Sequence, residues 1–171
     1  HFAIGFKEVW EVENDMYSAG DVVHTMGWPL NEGTTGGGFL YHFDNNRIAV
    51  GLIVDLNYTN PSHSPFQEFQ QFKKHPKIKQ FLESGKRVSY GARAITKGGI
   101  NSLVKMDFNG GMIIGCDAGT LNPSKIKGSH CALQSGILAA EYIHKILSEE
   151  FCEFDDLFKR SSLYKELFKS R

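Results

Sequence analysis

The residues with the most chemical promise lie in one stretch. Gly115-Cys116-Asp117-Ala118-Gly119-Thr120-Leu121-Asn122-Pro123 is followed, after residues 124–127, by Gly128-Ser129-His130. Glycine at Gly115 and Gly119 lets backbone approach a ligand with no Cβ in the way. The run then enters an apolar-periodic helix, whose first N–H groups lack partners within the helix and whose dipole presents its positive end. Such an end suits a group carrying negative charge, and the N1–C2=O edge of a reduced flavin is one. The dipole contributes roughly 0.3–2 kcal/mol to a group of this kind. Asp117 and Asn122 add polar side chains, and Lys125 and Lys127 sit close enough in sequence to add positive potential. Taken alone, a tight strand–loop–helix connection with no ligand fits these residues equally well. No Gly-x-Gly-x-x-Gly follows a first strand, so the pyrophosphate-binding half of a dinucleotide site is missing here.

Other chemically capable residues carry weaker patterns. His130 at the helix start reads either as a proton donor or as a capping or surface histidine. Arg93 could pair with a carboxylate or a phosphate, or sit on a sheet surface. Asp55, Asp107 and Glu83 read as solvated turn and edge charges. Cys116, Cys131 and Cys152 have no CxxC pairing and no matching histidine spacing, so a zinc or iron–sulfur site from these alone would be under-ligated. Reduced cysteines packed as small apolar residues are the expectation, with no metal site and no side chain assigned to catalysis.

The elements that must position the loop can be read from periodicity. Phe2–Val12, Asp21–Trp28, Gly38–Phe43, Arg47–Leu56 and Arg87–Thr96 are rich in β-branched and aromatic residues, and Asp44-Asn45-Asn46 is a hairpin turn. Phe39, Tyr41 and Phe43 alternate with Leu40 and His42, the mark of a two-faced sheet. Ser64-Pro65 opens a helix to about His75 with Phe66, Phe69 and Phe72 as a core stripe, and Pro76 starts a second one that Gly85 stops. Past Gly98-Gly99 the character changes to an apolar strand, Met112-Ile113-Ile114, the glycine loop, and a helix over 129–148. Ala132, Leu133, Gly136, Ile137, Ala140, Ile143 and Leu147 form its apolar stripe. This strand–loop–helix unit belongs to a dinucleotide-type domain, separate from the sheet before it. The tail, residues 151–171, is charged and amphipathic.

The 171 residues fit one domain or parts of two, and a hydrophobic share of 41% with 22% charged is that of a folded protein. Nineteen basic residues balance nineteen acidic ones, which removes any net-charge attraction to nucleic acid or an anionic membrane. No stretch approaches the roughly 20 apolar residues of a membrane span. The sequence starts at His1 already in a strand-like run, with no signal peptide pattern, and an internal piece of a longer polypeptide is expected.

Gly110–Glu141 resembles the second FAD motif of the geranylgeranyl-reductase and electron-transfer-flavoprotein dehydrogenase group. Four further blocks, GFKEVWEV (Gly5–Val12), HTMGWPL (His24–Leu30), GGGFLYHF (Gly36–Phe43) and GKRVSYGARAITKGG (Gly85–Gly99), narrow the resemblance to the electron-transfer flavoprotein:ubiquinone oxidoreductase family. The resemblance implies a mixed α+β fold of the p-hydroxybenzoate-hydroxylase kind. Residues 1–100 would be a quinone-side sheet domain of antiparallel or mixed strands. Residues 101–148 would be the C-terminal strand–loop–helix of a Rossmann-like FAD domain, and 149–171 the helical start of the next region. FAD would be met by Gly115, Asp117, Gly119, Asn122, Gly128 and Ser129, and the ubiquinone ring by backbone at Gly36 and Gly37.

Electrons would pass from reduced electron-transfer flavoprotein to ubiquinone. The family's 4Fe–4S ligands and membrane-binding segment would lie beyond Arg171, and the first FAD motif before His1. The setting implied is peripheral on the inner mitochondrial or the bacterial cytoplasmic membrane. Thr35 stands where the family has an aromatic residue, and Cys116 separates the motif glycine from Asp117. A flavin-dependent prenyl-chain reductase or hydroxylase would share the loop but would not need the GWPL and GGGFLYHF blocks. An inactive gene fragment is the other alternative.

Overall fold

Alternating apolar residues build the first sheet. Strands β1 (Phe2–Glu11), β2 (Val22–Met26), β3 (Gly36–Phe43), β4 (Arg47–Asp55) and β5 (Lys86–Thr96) are ordered β2-β3-β4-β1-β5. The β1–β4, β3–β4 and β2–β3 pairs are antiparallel. The structure, a computed structural model, describes residues 1–13, 15–31, 33–125 and 128–171. It divides into two compact units, Phe2–Ala94, and Ile95–Arg171 with His1. The β3–β4 turn works because Asn45 and Asn46 both take positive φ (59° and 53°), which asparagine tolerates better than most side chains.

One face of this sheet carries the core. Leu40, Ile48, Val50, Leu52 and Val54 are at most 1% exposed and pack with Phe69, Phe72, Ile78 and Leu82 from helices α1 (Pro65–Lys74) and α2 (Pro76–Leu82). Ser64 caps α1, its side chain accepting from the Gln67 N–H, and Pro65 takes the first helical turn. Phe69 and Phe72 are buried as the spacing predicts, each contributing roughly 1.5–3 kcal/mol. Phe66 is not in the core; it stays half exposed, edge-on to Phe6.

The same face buries a charge that sequence reading passed over. Glu8 on β1 is 3% exposed, yet it accepts from Lys73 Nζ (2.8 and 3.0 Å), Trp10 Nε1 (2.9 Å) and Arg87 (3.2 Å). Burial pushes its pKa up, but the bonds from Lys73 and Trp10, the Lys73 charge and Arg87 outweigh it, and the net shift is down. GFKEVWEV thus carries a structural anchor for α1.

The second unit is mostly helical. Helices α3 (Ser129–Leu147), α4 (Phe154–Arg160) and α5 (Ser162–Lys169) enclose Cys131, Phe154, Phe158, Leu163 and Leu167 together with Met106 and Ala118. The apolar strand is shorter than its sequence suggests. The ladder covers Gly111–Met112 (β7) against Asp107–Phe108 (β6) and is extended by one bond from the Ile113 N–H to the Met106 carbonyl (2.8 Å), while Ile113 and Ile114 are 39% and 42% exposed. The face of α3 is also reversed from expectation. Its buried positions are Cys131, Ser135 and Ala139, whereas Leu133, Ile137 and Leu147 are 70%, 67% and 79% exposed. The helix is apolar on more than one side, so periodicity alone could not say which side α4 and α5 would cover. No helix among the described residues is long and apolar enough to cross a membrane.

Candidate functional site

The glycine loop folds as two short 3-10 turns, Gly115–Ala118 and Pro123–Lys125, laid against the start of α3. Gly115 (φ 71°) and Gly119 (φ 93°) both use the left-handed region, the second to bring its N–H onto the Cys116 carbonyl. The Gly115 N–H donates to Ser135 Oγ (2.9 Å), which ties the loop to the middle of α3. A Cβ on Gly128 would stand 2.7 Å from the end of the Leu121 side chain and 3.1 Å from Cys116 Sγ, so both would have to shift to admit one. Asp117 and Ser129 are exposed, Gly119 is buried, and Asn122 is 2% exposed. Lys127 lies outside the described residues.

Two observations fit a polar ligand here. The start of α3 has no side-chain cap at Gly128. The Thr120 hydroxyl is fully buried without a hydrogen-bond partner among the described residues. Both leave polar capacity that the loop does not itself satisfy.

Beneath the loop sits a carboxylate that the sequence did not flag. Glu166 on α5 accepts from Asn122 Nδ2 (2.9 Å), pairs with His130 Nε2 (2.7 Å) and forms an ion pair with Lys125 Nζ (2.9 Å). The bonds from His130, Asn122 and Lys125, in that order, hold its pKa down at about 2. Asn122 is further used, its Oδ1 accepting from the Ser124 N–H (3.1 Å). Cys131 is buried beside this group, and burial followed by the Glu166 charge pushes its thiol up to about 11. His130, Cys131 and Glu166 offer ligand atoms within 4.8 Å of one another, the spacing of a metal site. The carboxylate is already engaged by Lys125, Asn122 and His130, so the group forms a hydrogen-bond hub. His130 is therefore a paired histidine. Thirty-six residues separate it from Glu166, and no local pattern could announce the contact.

Gly36 and Gly37 open β3 and lie in the sheet, paired with Val54 and Ile53 of β4. A Cβ on Gly36 would collide with the Ile53 carbonyl oxygen, and one on Gly37 would stand 2.6 Å from the Thr25 carbonyl. Gly38 is closed off by the Phe72 ring. Gly37 shares the helix-free face with Phe39 and Tyr41, whose rings stack at 4.7 Å, and with Gly5, the register partner of Ile53 on the other side. That face is aromatic at one end, where Phe39 and Tyr41 stand. Thr35 just before the glycines donates to Asp55 Oδ2 (2.5 Å), and Asp55 returns its N–H to the Thr35 carbonyl (2.9 Å). Asp55 is 3% exposed, not the solvated charge its sequence context suggested. Arg93 lies on the exposed part of β5 with a partner of its own.

On the helix side of the same unit, an apolar groove of about 380 Å³ is lined by Thr25, Met26, Trp28, Phe72, Ile78 and Phe81 among others. Three of these come from the HTMGWPL block, whose chemistry periodicity did not reveal.

The sheet, its helix-covered face and the loop–helix unit make a mixed α+β fold of the p-hydroxybenzoate-hydroxylase kind. The chain superposes on a geranylgeranyl bacteriochlorophyll reductase-like protein from Thermoplasma acidophilum with a TM-score of 0.69, over 99% of this chain and 41% of that one, at 16% identity. A flavin-dependent brominase matches with a TM-score of 0.62 at 15% identity, over 98% of this chain and 40% of that one. The sequence model described as "ETF-QO, ubiquinone-binding" matches residues 2–95, and the chain belongs to that family. The electron transfer flavoprotein-ubiquinone oxidoreductase of Pseudomonas aeruginosa is 58% identical over all of this chain and 32% of its own length. The human mitochondrial protein of that name is 46% identical over 99% of this chain and 30% of its own. The chain thus spans about a third of the length of these curated relatives.

Proposed function

We propose that this chain is part of a flavoprotein oxidoreductase that passes electrons from reduced electron-transfer flavoprotein to ubiquinone, an electron-transferring-flavoprotein dehydrogenase. One observation carries the reading. The ubiquinone-binding family matches residues 2–95, and this is the unit whose helix-free face exposes the Gly37–Gly5 strip beside Phe39 and Tyr41. A flat quinone ring needs a surface without side-chain relief and with backbone N–H or C=O near its carbonyls, and paired glycines supply one.

FAD, when bound, supplies the redox-active ring through which electrons travel. The chain's own part in holding it falls to the exposed start of the second helical unit: the Ser129 and His130 N–H groups at the uncapped end of α3, with Asp117 in the adjoining turn. Gly115, Gly119, Gly128 and Asn122 serve by shaping the loop that presents those groups. The 4Fe–4S cluster and the segment that attaches the protein peripherally to a mitochondrial inner or bacterial cytoplasmic membrane belong to other parts of the longer polypeptide.

The test uses a full-length polypeptide in which this chain replaces the matching third of the Pseudomonas aeruginosa relative. Gly37→Val, whose Cβ must displace the Thr25 carbonyl of β2, is expected to lower quinone reduction at least about tenfold while the flavin content stays unchanged. Unchanged quinone kinetics in that folded variant would remove the glycine strip from the quinone site. The 171-residue chain alone is expected to elute without stoichiometric FAD, because adenine and pyrophosphate contacts supply much of dinucleotide affinity.

A further inference from the structure

Glu166 stands 44 residues after Asn122 and is the only described carboxylate that gathers the loop and the start of α3 onto one point. Its own place is fixed. Its near neighbours Leu163 and Leu167 are 0% and 1% exposed in the helical core, and Ser161 caps α5 by accepting from the Tyr164 N–H. The loop it holds is otherwise tied to α3 at its other end, through the Gly115 N–H on Ser135 Oγ. Residues 119–125 are short turns without ladder hydrogen bonds; the Asn122 side chain reaches out of the loop to Glu166, and its backbone meets the Cys131 thiol. Two partners from the turn, Asn122 and Lys125, and one from the first turn of α3, His130, meet one carboxylate anchored in a core and make a rigid support for a site of loose local structure.

We propose that Glu166 is a positioning residue for the flavin: by holding Asn122, Lys125 and His130 it fixes the Gly115–Asn122 loop relative to the first turn of α3 and so aims the N–H groups of that turn. This role deepens the flavin-loop reading and rests on it. Glu166 touches no cofactor itself. Lys125 is neutralised locally by the pair, so the positive potential offered by this end of the unit is set jointly by the helix dipole and by whether the pair is intact.

Two experiments test it. In a full-length polypeptide carrying this chain, Glu166→Ala is expected to speed amide exchange across residues 119–125 and 128–131 at least about tenfold while leaving the β1–β5 sheet unchanged. In the full-length polypeptide carrying this chain, the readouts are retained FAD, the visible circular dichroism of the flavin and its midpoint potential. Glu166→Ala should weaken FAD retention about tenfold and shift the visible bands. Glu166→Gln keeps an oxygen for Asn122 and His130 but loses the charge facing Lys125, so it should retain FAD better and still shift the potential. Glu141→Gln, which loses only a surface pair with Lys145, should change neither.

A folded Glu166→Ala protein with unchanged exchange, retention and potential overturns the proposal. Where that variant does not fold, Glu166→Gln decides, and an unchanged potential overturns it. Ser129→Pro removes one helix-start N–H at a position where proline is tolerated. If it perturbs the flavin while both Glu166 variants do not, the positioning role fails and the flavin-loop reading stands. If none of the three perturbs the flavin, the reading itself fails.

Discussion

The two units solve the same packing problem to different degrees. In residues 2–94 the core-facing side of the sheet is closed by its own helices, leaving Leu40, Val50 and Val54 fully buried. In the second unit α3 is covered on one side only, and Leu133, Ile137 and Leu147 face outward. Each unit also centres on one carboxylate with a ring of donors. Glu8 has a 4% exposed side chain under Lys73, Trp10 and Arg87, while Glu166 is 22% exposed beneath Lys125, Asn122 and His130. The first is sealed and serves stability. The second stays in reach of water, where screening limits its worth to folding and leaves it free to shape a loop.

The largest expected effect follows from the sealed core. Phe72→Ala should destabilise the sheet unit by about 3–5 kcal/mol, since the ring fills the space between Gly38 and the groove. Urea unfolding followed by near-ultraviolet circular dichroism measures it. A loss under about 1 kcal/mol would mean that this core is as open as the second unit's face. Close behind is Lys73→Met, which strands the buried Glu8 carboxylate with Arg87 as its remaining cation and should cost about 3 kcal/mol.

Acid should separate the units. His42 is 5% exposed, stacked on Tyr17, with its Nδ1 accepting from the Ser18 N–H, and burial holds its pKa below the usual 6.5. Its unfolded form takes up a proton first, so the sheet unit begins to lose stability as pH falls through 6.5. Glu166, depressed from 4.5 to about 2, acts in a lower window: its contribution is complete above pH 4.5 and is lost between there and about 2. Amide-exchange protection factors at pH 7.5, 5.5 and 3.5 should therefore fall first in residues 36–54 and only later in residues 119–131. The reverse order would break the comparison. The smallest effect is expected on the open face, where Leu133→Ser with Ile137→Ser should change stability by no more than about 0.5 kcal/mol per site. A larger loss would show that this face is covered in solution.

Much of the fold was legible because local chemistry decided it. Ser64-Pro65 started α1, the asparagine pair made the β3–β4 turn, and period-two alternation identified Leu40 and His42 as one face. The loop from Gly115 to Pro123 was legible as an irregular segment before a helix for the same reason. Local signals failed wherever more than one side of an element was apolar. The α3 stripe through Leu133 and Ile137 was as good a core face as the Cys131–Ser135–Ala139 side that α4 and α5 cover. Apolar content says that a face wants burial, and only the packing of other elements says which face receives it.

By itself, then, the sequence determined the strands, the capped helices, the glycine loop and the family blocks, since each is written within about ten residues of chain. The tertiary structure alone decided the contacts that join distant residues. These are Glu8 with Lys73 and Arg87, Thr35 with Asp55, and Glu166 with Asn122, Lys125 and His130. A buried or half-buried charge has no periodic signature. Its partners are chosen by where the backbone brings donors within about 3 Å, and that distance exists only once the chain has folded.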